Sequence, residues 1–311
     1  MTRTSAEGVR AGRGGLTAGN GDVPAPVVRQ GDQLGECPAW SAYDEAVYWV
    51  DARKPAVQRY RPATGEIATW LMPEITPGLA VAGPARLLLA FRATFAFLDT
   101  STGGLTELKP RSSSSAPARF NELKCDRQGR VWIGEMNDER RVPAGHLYRL
   151  DPGGLTPVLD GVVVPNSLCW SPDGTTMYFS DAQAPMIWQF DYDPGSGTPF
   201  HRRPFVTLRA DQGFPDGATV DAEGFVWSTN YGGWSVVRYS PDGEIDLEIR
   251  LPTAQITSCA FGGPDLHTLY VTTAAQRLTP AELGDQPEAG ALFKVRTAVR
   301  GLAEADALAA A

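Results

Sequence analysis

The stretch Asp126-Arg127-Gln128-Gly129-Arg130-Val131-Trp132-Ile133-Gly134 sets a tight turn in front of a short apolar run. The same arrangement returns as Ser171-Pro172-Asp173-Gly174 before Met177-Tyr178-Phe179-Ser180, and as Asp221-Ala222-Glu223-Gly224 before Phe225-Val226-Trp227-Ser228. Glycine in the fourth place supplies the positive φ that such a hairpin needs. Three more runs match the strand: Val47-Tyr48-Trp49-Val50, Leu87-Leu88-Leu89-Ala90 and Leu269-Tyr270-Val271-Thr272. From Trp49 through Leu89, Trp132, Tyr178 and Trp227 to Tyr270, the steps are roughly 40 to 50 residues, the size of a four-stranded propeller blade.

Around these markers the rest of each blade can be read. A second alternating strand follows the central one, as in Gly145-His146-Leu147-Tyr148-Arg149-Leu150, Ser235-Val236-Val237-Arg238-Tyr239 and Gly290-Ala291-Leu292-Phe293-Lys294-Val295. Another turn comes next, such as Asp151-Pro152-Gly153-Gly154. Helical periodicity is weak throughout. The pattern predicts an all-β chain forming one six-bladed β-propeller over residues 26–300, with residues 26–30 adding an outer strand to the last blade. Residues 1–25 read as a disordered tail, residues 112–115 as a flexible serine loop, and residues 301–311 as a C-terminal tail.

Composition agrees. Among 311 residues, 33 Gly and 25 Pro beside 8 Trp suit short strands joined by tight turns. A net charge of -8 argues against a nucleic-acid partner, which wants a basic face. Cys37, Cys125, Cys169 and Cys259 lie far apart with no CxxC pair, so they read as buried, reduced thiols. The first 24 residues lack the apolar core of a secretory signal, and no run is long enough to span a bilayer. The expected setting is cytoplasmic, with a small-molecule partner and no membrane.

In a propeller the innermost strand of each blade lines a central channel. Counting back from each marker to the entrance of that strand reaches Glu36, Gly78, Asn121, Asn166, Asp216 and Ser258. Equivalent positions around a closed ring point to one axis. Two carboxylates converging there repel unless a cation or proton intervenes. Glu36, Asp216 and the Asn166 side-chain oxygen together offer hard oxygen donors with a charge that balances one divalent ion. Ca²⁺ comes first, and Mg²⁺, Mn²⁺ and Zn²⁺ are also compatible. The alternative is that these residues cap strands and hydrogen-bond buried water.

At these residues the sequence resembles the senescence-marker-protein / gluconolactonase / luciferin-regenerating-enzyme family, from about Gly31 to Val295. The similar segments, in order, are Leu34-Gly35-Glu36-Cys37-Pro38, Arg119-Phe120-Asn121, Pro165-Asn166, Phe214-Pro215-Asp216-Gly217 and Thr257-Ser258-Cys259. The resemblance implies a six-bladed propeller and a metal-dependent lactonase acting on sugar lactones. It implies Glu36, Asn166 and Asp216 as metal ligands, Asp216 as general base, and Arg119 and Asn121 as substrate-binding residues, with Glu122 beside them. Two positions depart from the family pattern. Glu122-Leu123 stands where Asp-Gly is usual, which is expected to reshape the loop near the substrate, and Ser167 stands where Gly is common.

Other chemistries find little support. His146, His201 and His267 lack metal-ligand spacing, there is no GxSxG elbow, and Asp191-Tyr192-Asp193-Pro194-Gly195 reads as a turn. Tyr231 and Trp234 suit either the channel mouth or packing within the blade. Two competing functions stand beside lactone hydrolysis. One is a different metal-dependent reaction in the same pocket, such as organophosphate hydrolysis or a step of secondary metabolism. The other is a non-catalytic Ca²⁺-binding propeller.

Overall fold

The computed structural model describes residues 23–108 and 117–307. The expected N-terminal tail up to residue 22, the serine loop at 112–115 and the last four residues lie outside this description. The strands form six antiparallel sheets of four. In five of them four consecutive strands pair in sequence order, starting from Gly35–Ser41, Gly78–Val81, Ala118–Cys125, Pro165–Trp170 and Phe214–Val220. The sixth begins with Ile256–Gly262 and continues through Thr268–Thr273 to Leu292–Arg296. Its outermost place is taken by Ala25–Val28 from the other end of the chain, with Ala25 opposite Lys294 and Val28 opposite Leu292. Each of the six starting strands touches its counterparts in both adjacent sheets, the first against the sixth included, so the ring is closed. The predicted six-bladed propeller is the observed one.

The turns behave as their glycines require. The amides of Gly129, Gly174 and Gly224 donate to the carbonyls of Asp126, Ser171 and Asp221 at 3.0, 2.9 and 3.0 Å. All three glycines sit at φ between 69° and 86°, where an L side chain is strained. The marker residues are core. Trp49, Leu89, Trp132 and Trp227 are fully buried, and Tyr178 and Tyr270 nearly so. Packing runs between blades rather than within them. Tyr48 and Val50 meet Leu87 and Leu89 at one junction, and Trp132 meets Trp170 and Phe179 at another. Val47 and Trp49 meet Tyr270 and Leu292 where the ring closes. Six such clusters fill the six junctions.

Near the other ends of the innermost strands, residues 301–307 cross the channel. The Gly301 amide donates to Leu266 O and the Ala307 amide to Val81 O, at 2.8 and 2.7 Å. Between these anchors Glu304 meets the buried Lys124 ammonium at 3.3 Å and accepts from the Thr219 hydroxyl. Burial alone would lower the Lys124 pKa, but Glu304 and Glu122 together hold it above its ordinary value. All four cysteines are free and buried. Among the described residues one α-helix occurs, Pro280–Asp285, and no helix is long and apolar enough to cross a membrane.

Two outcomes follow. Removing residues 1–28 strips the outer strand from the last blade, exposing Val28's packing site and an open sheet edge. The thermal midpoint should fall and the protein should self-associate on gel filtration; an unchanged midpoint would show the closing strand to be dispensable. Lys124→Met should cost about 3–5 kcal/mol in urea unfolding because Glu304 is left buried and unpaired, and adding Glu304→Leu should recover most of it. Equal losses in the single and double variants would contradict that account.

Candidate metal centre

Near its start, each of four innermost strands carries one polar side chain into the channel cavity. Glu36 and Asn166 are the second residues of their strands, and Asn121 and Asp216 lie a little further in. The ladder slips after each of them, between Glu36 and Ala39, Asn121 and Leu123, Asn166 and Cys169, and across Asp216 between Pro215 and Ala218. Such bulges bend a strand and redirect a side chain. In three cases the next residue takes the left-handed region: Cys37 at φ 46°, Glu122 at 56° and Ser167 at 55°. A non-glycine there costs on the order of 1–2 kcal/mol. This explains why a glycine after the asparagine is favourable, and Ser167 has its own compensation. Its hydroxyl donates to the Asp216 carbonyl at 2.6 Å and accepts from Ser180 at 2.9 Å, tying two site-bearing strands together.

Gly78 explains the silent blade. A Cβ built there would lie 2.7 Å from Leu123 Cβ, so Leu123 occupies the space a side chain would need. Leu123 is thus packed into the junction between the second and third blades, and its bulk does not reshape the cavity wall.

The polar residues meet in one cavity of about 540 Å³, lined by Glu36, Arg119, Asn121, Asn166, Asp216 and Tyr231 among others. Their positions are fixed by a chain of hydrogen bonds. Arg53 donates to both oxygens of Asp138 at 2.9 and 2.6 Å. Asp138 accepts from Arg119 Nε at 2.7 Å, and Arg119 Nη1 donates to Asn121 Oδ1 at 2.7 Å. Asn121 Nδ2 then donates to the Pro165 carbonyl at 2.9 Å and to Asn166 Oδ1 at 3.2 Å. The relay orients Asn166 with its oxygen, not its amine, as the acceptor. Although burial works against it, the hydrogen bonds from Arg53 and Arg119 hold Asp138 well below the usual carboxylate range. Two further aspartates brace the strand entrances. Asp51 accepts from the Gln33 and Leu34 amides, and Asp181 from those of Val163 and Val164.

The donor set suits a hard divalent cation. Glu36 and Asp216 are both pushed well above the ordinary carboxylate range. Burial is the first cause in each case; Asp216 and Glu122 add to it for Glu36, and Glu122 for Asp216. Arg119 opposes the shift at both, and Arg141 also opposes it at Asp216. Two buried acids whose ionised forms are disfavoured gain most from a cation between them. Among the described residues no three His, Cys, Asp or Glu side chains gather as a metal-holding group, so a third donor beside Glu36 and Asp216 would be a neutral oxygen, and that of Asn166 lines the same cavity.

Glu122 does not line the cavity: the bulge turns its backbone, and its carboxylate accepts from the Leu168 amide at 3.2 Å. Burial pushes its pKa up to about 7 despite the nearby Lys124. Tyr231 lines the cavity and Trp234 does not. Arg53, Asp138, Arg141 and Arg277 lie outside the repeat, in loops whose lengths vary between blades. Only Asp51 and Asp181 left a signal, since they follow Glu36 and Asn166 at the same sequence distance.

Known proteins are similar to this one across nearly the whole chain. A family model described as "SMP-30/Gluconolactonase/LRE-like region" matches residues 34–275. A 6-deoxy-6-sulfogluconolactonase from Pseudomonas putida is 36% identical, covering 89% of this chain and 96% of the relative. An L-arabinolactonase from Azospirillum brasilense is 37% identical over 88% of this chain and 91% of its own length. The crystal structure of a calcium-binding protein, regucalcin, from Agrobacterium tumefaciens superposes with a TM-score of 0.85 at 29% identity, covering 90% of this chain and 95% of that one. With its sequence and its six blades in agreement, the chain belongs to the SMP-30/gluconolactonase/LRE-like family.

Proposed function

We propose that this protein is a metal-dependent hydrolase that opens a sugar lactone, with Glu36, Asn166 and Asp216 holding the ion. The observation that carries the reading is the pair of buried, charge-averse carboxylates facing an oriented amide oxygen inside one cavity. Relatives named as lactonases support the reaction, and the regucalcin described as calcium-binding supports Ca²⁺ as the first candidate. Zn²⁺, Mn²⁺ and Mg²⁺ fit the same oxygen donors less specifically. When bound, such an ion supplies a Lewis acid that polarises the lactone carbonyl.

The chain's own residues supply the rest. Asp216 takes a proton from the attacking water, whose oxygen bonds to the carbonyl carbon. The ring C–O bond then breaks, and the proton returns from Asp216 to the departing alkoxide, leaving a hydroxy acid. Arg119 is committed through Nε and Nη1 to Asp138, Asn121 and the Phe120 carbonyl. Its Nη2 has no hydrogen bond among the described residues and is the group left for a substrate oxygen. Asn121 spends its amine on Pro165 and Asn166, so it acts mainly by positioning Asn166.

Assay against aldonolactones and aryl esters, with and without chelator, tests the reading. Chelation should lower kcat/KM at least a hundredfold and added Ca²⁺ or Zn²⁺ should restore it. Asp216→Asn should lose about a thousandfold while keeping its melting temperature; full turnover in that variant would sink the scheme. Preference for aryl esters over lactones would favour a different hydrolysis, and metal binding without turnover a pure binder. Arg53→Ala frees Asp138 and loosens Arg119, so kcat/KM should fall about tenfold, mostly through KM. An unchanged KM there would show that the relay does not position the substrate.

A further inference from the structure

The cavity holds two arginines that the lactonase reading does not use. Arg141 comes from the loop between Val131–Asn137 and Gly145–Asp151 in the third blade. Arg277 comes from the segment between Thr268–Thr273 and the helix Pro280–Asp285 in the sixth, on the opposite side of the ring. Both side chains line the cavity that contains Glu36 and Asp216. Neither makes an ion pair or side-chain hydrogen bond among the described residues. Arg53, Arg119, Arg130, Arg149 and Arg238, by contrast, are each held by a carboxylate. The acidic residue nearest in kind, Asp211, also lines the cavity but is engaged by Arg209 at 3.1 Å.

These arginines are set in place by their backbones. Arg277 adopts φ 63°, an unfavourable region for a bulky side chain. The amides on either side hold it there: Gln276 N donates to Gln33 O at 2.9 Å and Leu278 N to Ala275 O at 3.4 Å. The Arg141 loop is pinned by Asn137, whose Oδ1 accepts from the Glu139 and Arg140 amides at 3.0 and 2.8 Å. The two guanidinium groups are close enough to feel each other. After burial, Arg277 is the largest influence lowering the Arg141 pKa. In a chain of net charge -8, two unpaired cations held toward each other over one cavity are not the by-product of a basic surface. An anion between them would remove the repulsion and use both planar donor forks.

We infer that Arg141 and Arg277 form a subsite for an anionic group, a carboxylate or a phosphate-like ester, carried by the substrate away from its lactone carbonyl. The subsite rests on the lactonase reading for its reaction, with Glu36 and Asp216 at the carbonyl and the two arginines at the anion. The preferred substrates are then acidic sugar lactones rather than neutral ones. Because both arginines are exposed, the preference weakens as salt screens it.

The test compares D-glucono-1,4-lactone with D-glucaro-1,4-lactone and 6-phospho-D-gluconolactone, for the wild type and for Arg141→Gln with Arg277→Gln. The wild type should favour at least one anionic lactone by about tenfold in kcat/KM, mainly through KM, and lose most of that preference in 0.5 M NaCl. The double variant should lose about tenfold more on the anionic lactone than on the neutral one. The better of the two anionic substrates identifies carboxylate or phosphate. A neutral preference in the wild type, or equal losses on both kinds of lactone, overturns the subsite. If the wild type opens no lactone, the reaction is wrong, and calorimetric titration with glucarate, 6-phosphogluconate and gluconate decides the subsite alone. Tighter binding of glucarate or 6-phosphogluconate than of the monoanion gluconate, lost in the double variant, upholds it; equal binding of all three refutes it.

Discussion

A twisted four-stranded sheet with two apolar faces cannot stand alone in water, and the closed ring is how this chain solves that problem. Each blade covers a face of the next, and six junction clusters bury most of the large apolar side chains. The last junction closes only because Ala25–Val28 pairs with Leu292–Arg296, so both ends of the propeller lock one another. Everything at the axis depends on this closure. Residues as distant in sequence as Glu36 and Asp216 share a cavity because the ring returns every innermost strand to the same line.

Charge is then distributed along that axis in separate layers. Above, Glu36 and Asp216 are destabilised as anions and lie ready for a cation. Below, Glu122, Lys124 and Glu304 form a floor whose single cation faces two carboxylates. The crossing segment at residues 301–307 is what brings Glu304 there. To one side, Asp138 is shared by Arg53 and Arg119, a clamp that fixes Asn121 and Asn166. Arg141 and Arg277 line the same cavity with no ion pair among the described residues.

The repeat was legible because its signals are local. A glycine turn and a buried aromatic fall within one hairpin, and Trp49, Trp132 and Trp227 mark the fully buried strand directly. The convergence of Glu36, Asn121, Asn166 and Asp216 was legible one step further on, since equal offsets in a ring imply a common axis. Glu122 lies outside the cavity lining for a physical reason. A bulge places consecutive residues on rotated backbone, so adjacency to Asn121 did not carry Glu122 into the same cavity. Asp138, Arg141 and Arg277 were invisible because the loops that carry them share no length or composition between blades.

By itself the sequence determined the number of blades, the strands that bury their aromatics, and the oxygen donors aimed at the axis. Those follow from short-range periodicity and from the steric demands of turns. Only the tertiary structure decided which face of the bulge each side chain takes, how Arg53 reaches Asp138, and that two arginines from opposite blades share one cavity. Such facts depend on distances between segments far apart in the chain. Nothing short of the closed ring brings those segments together.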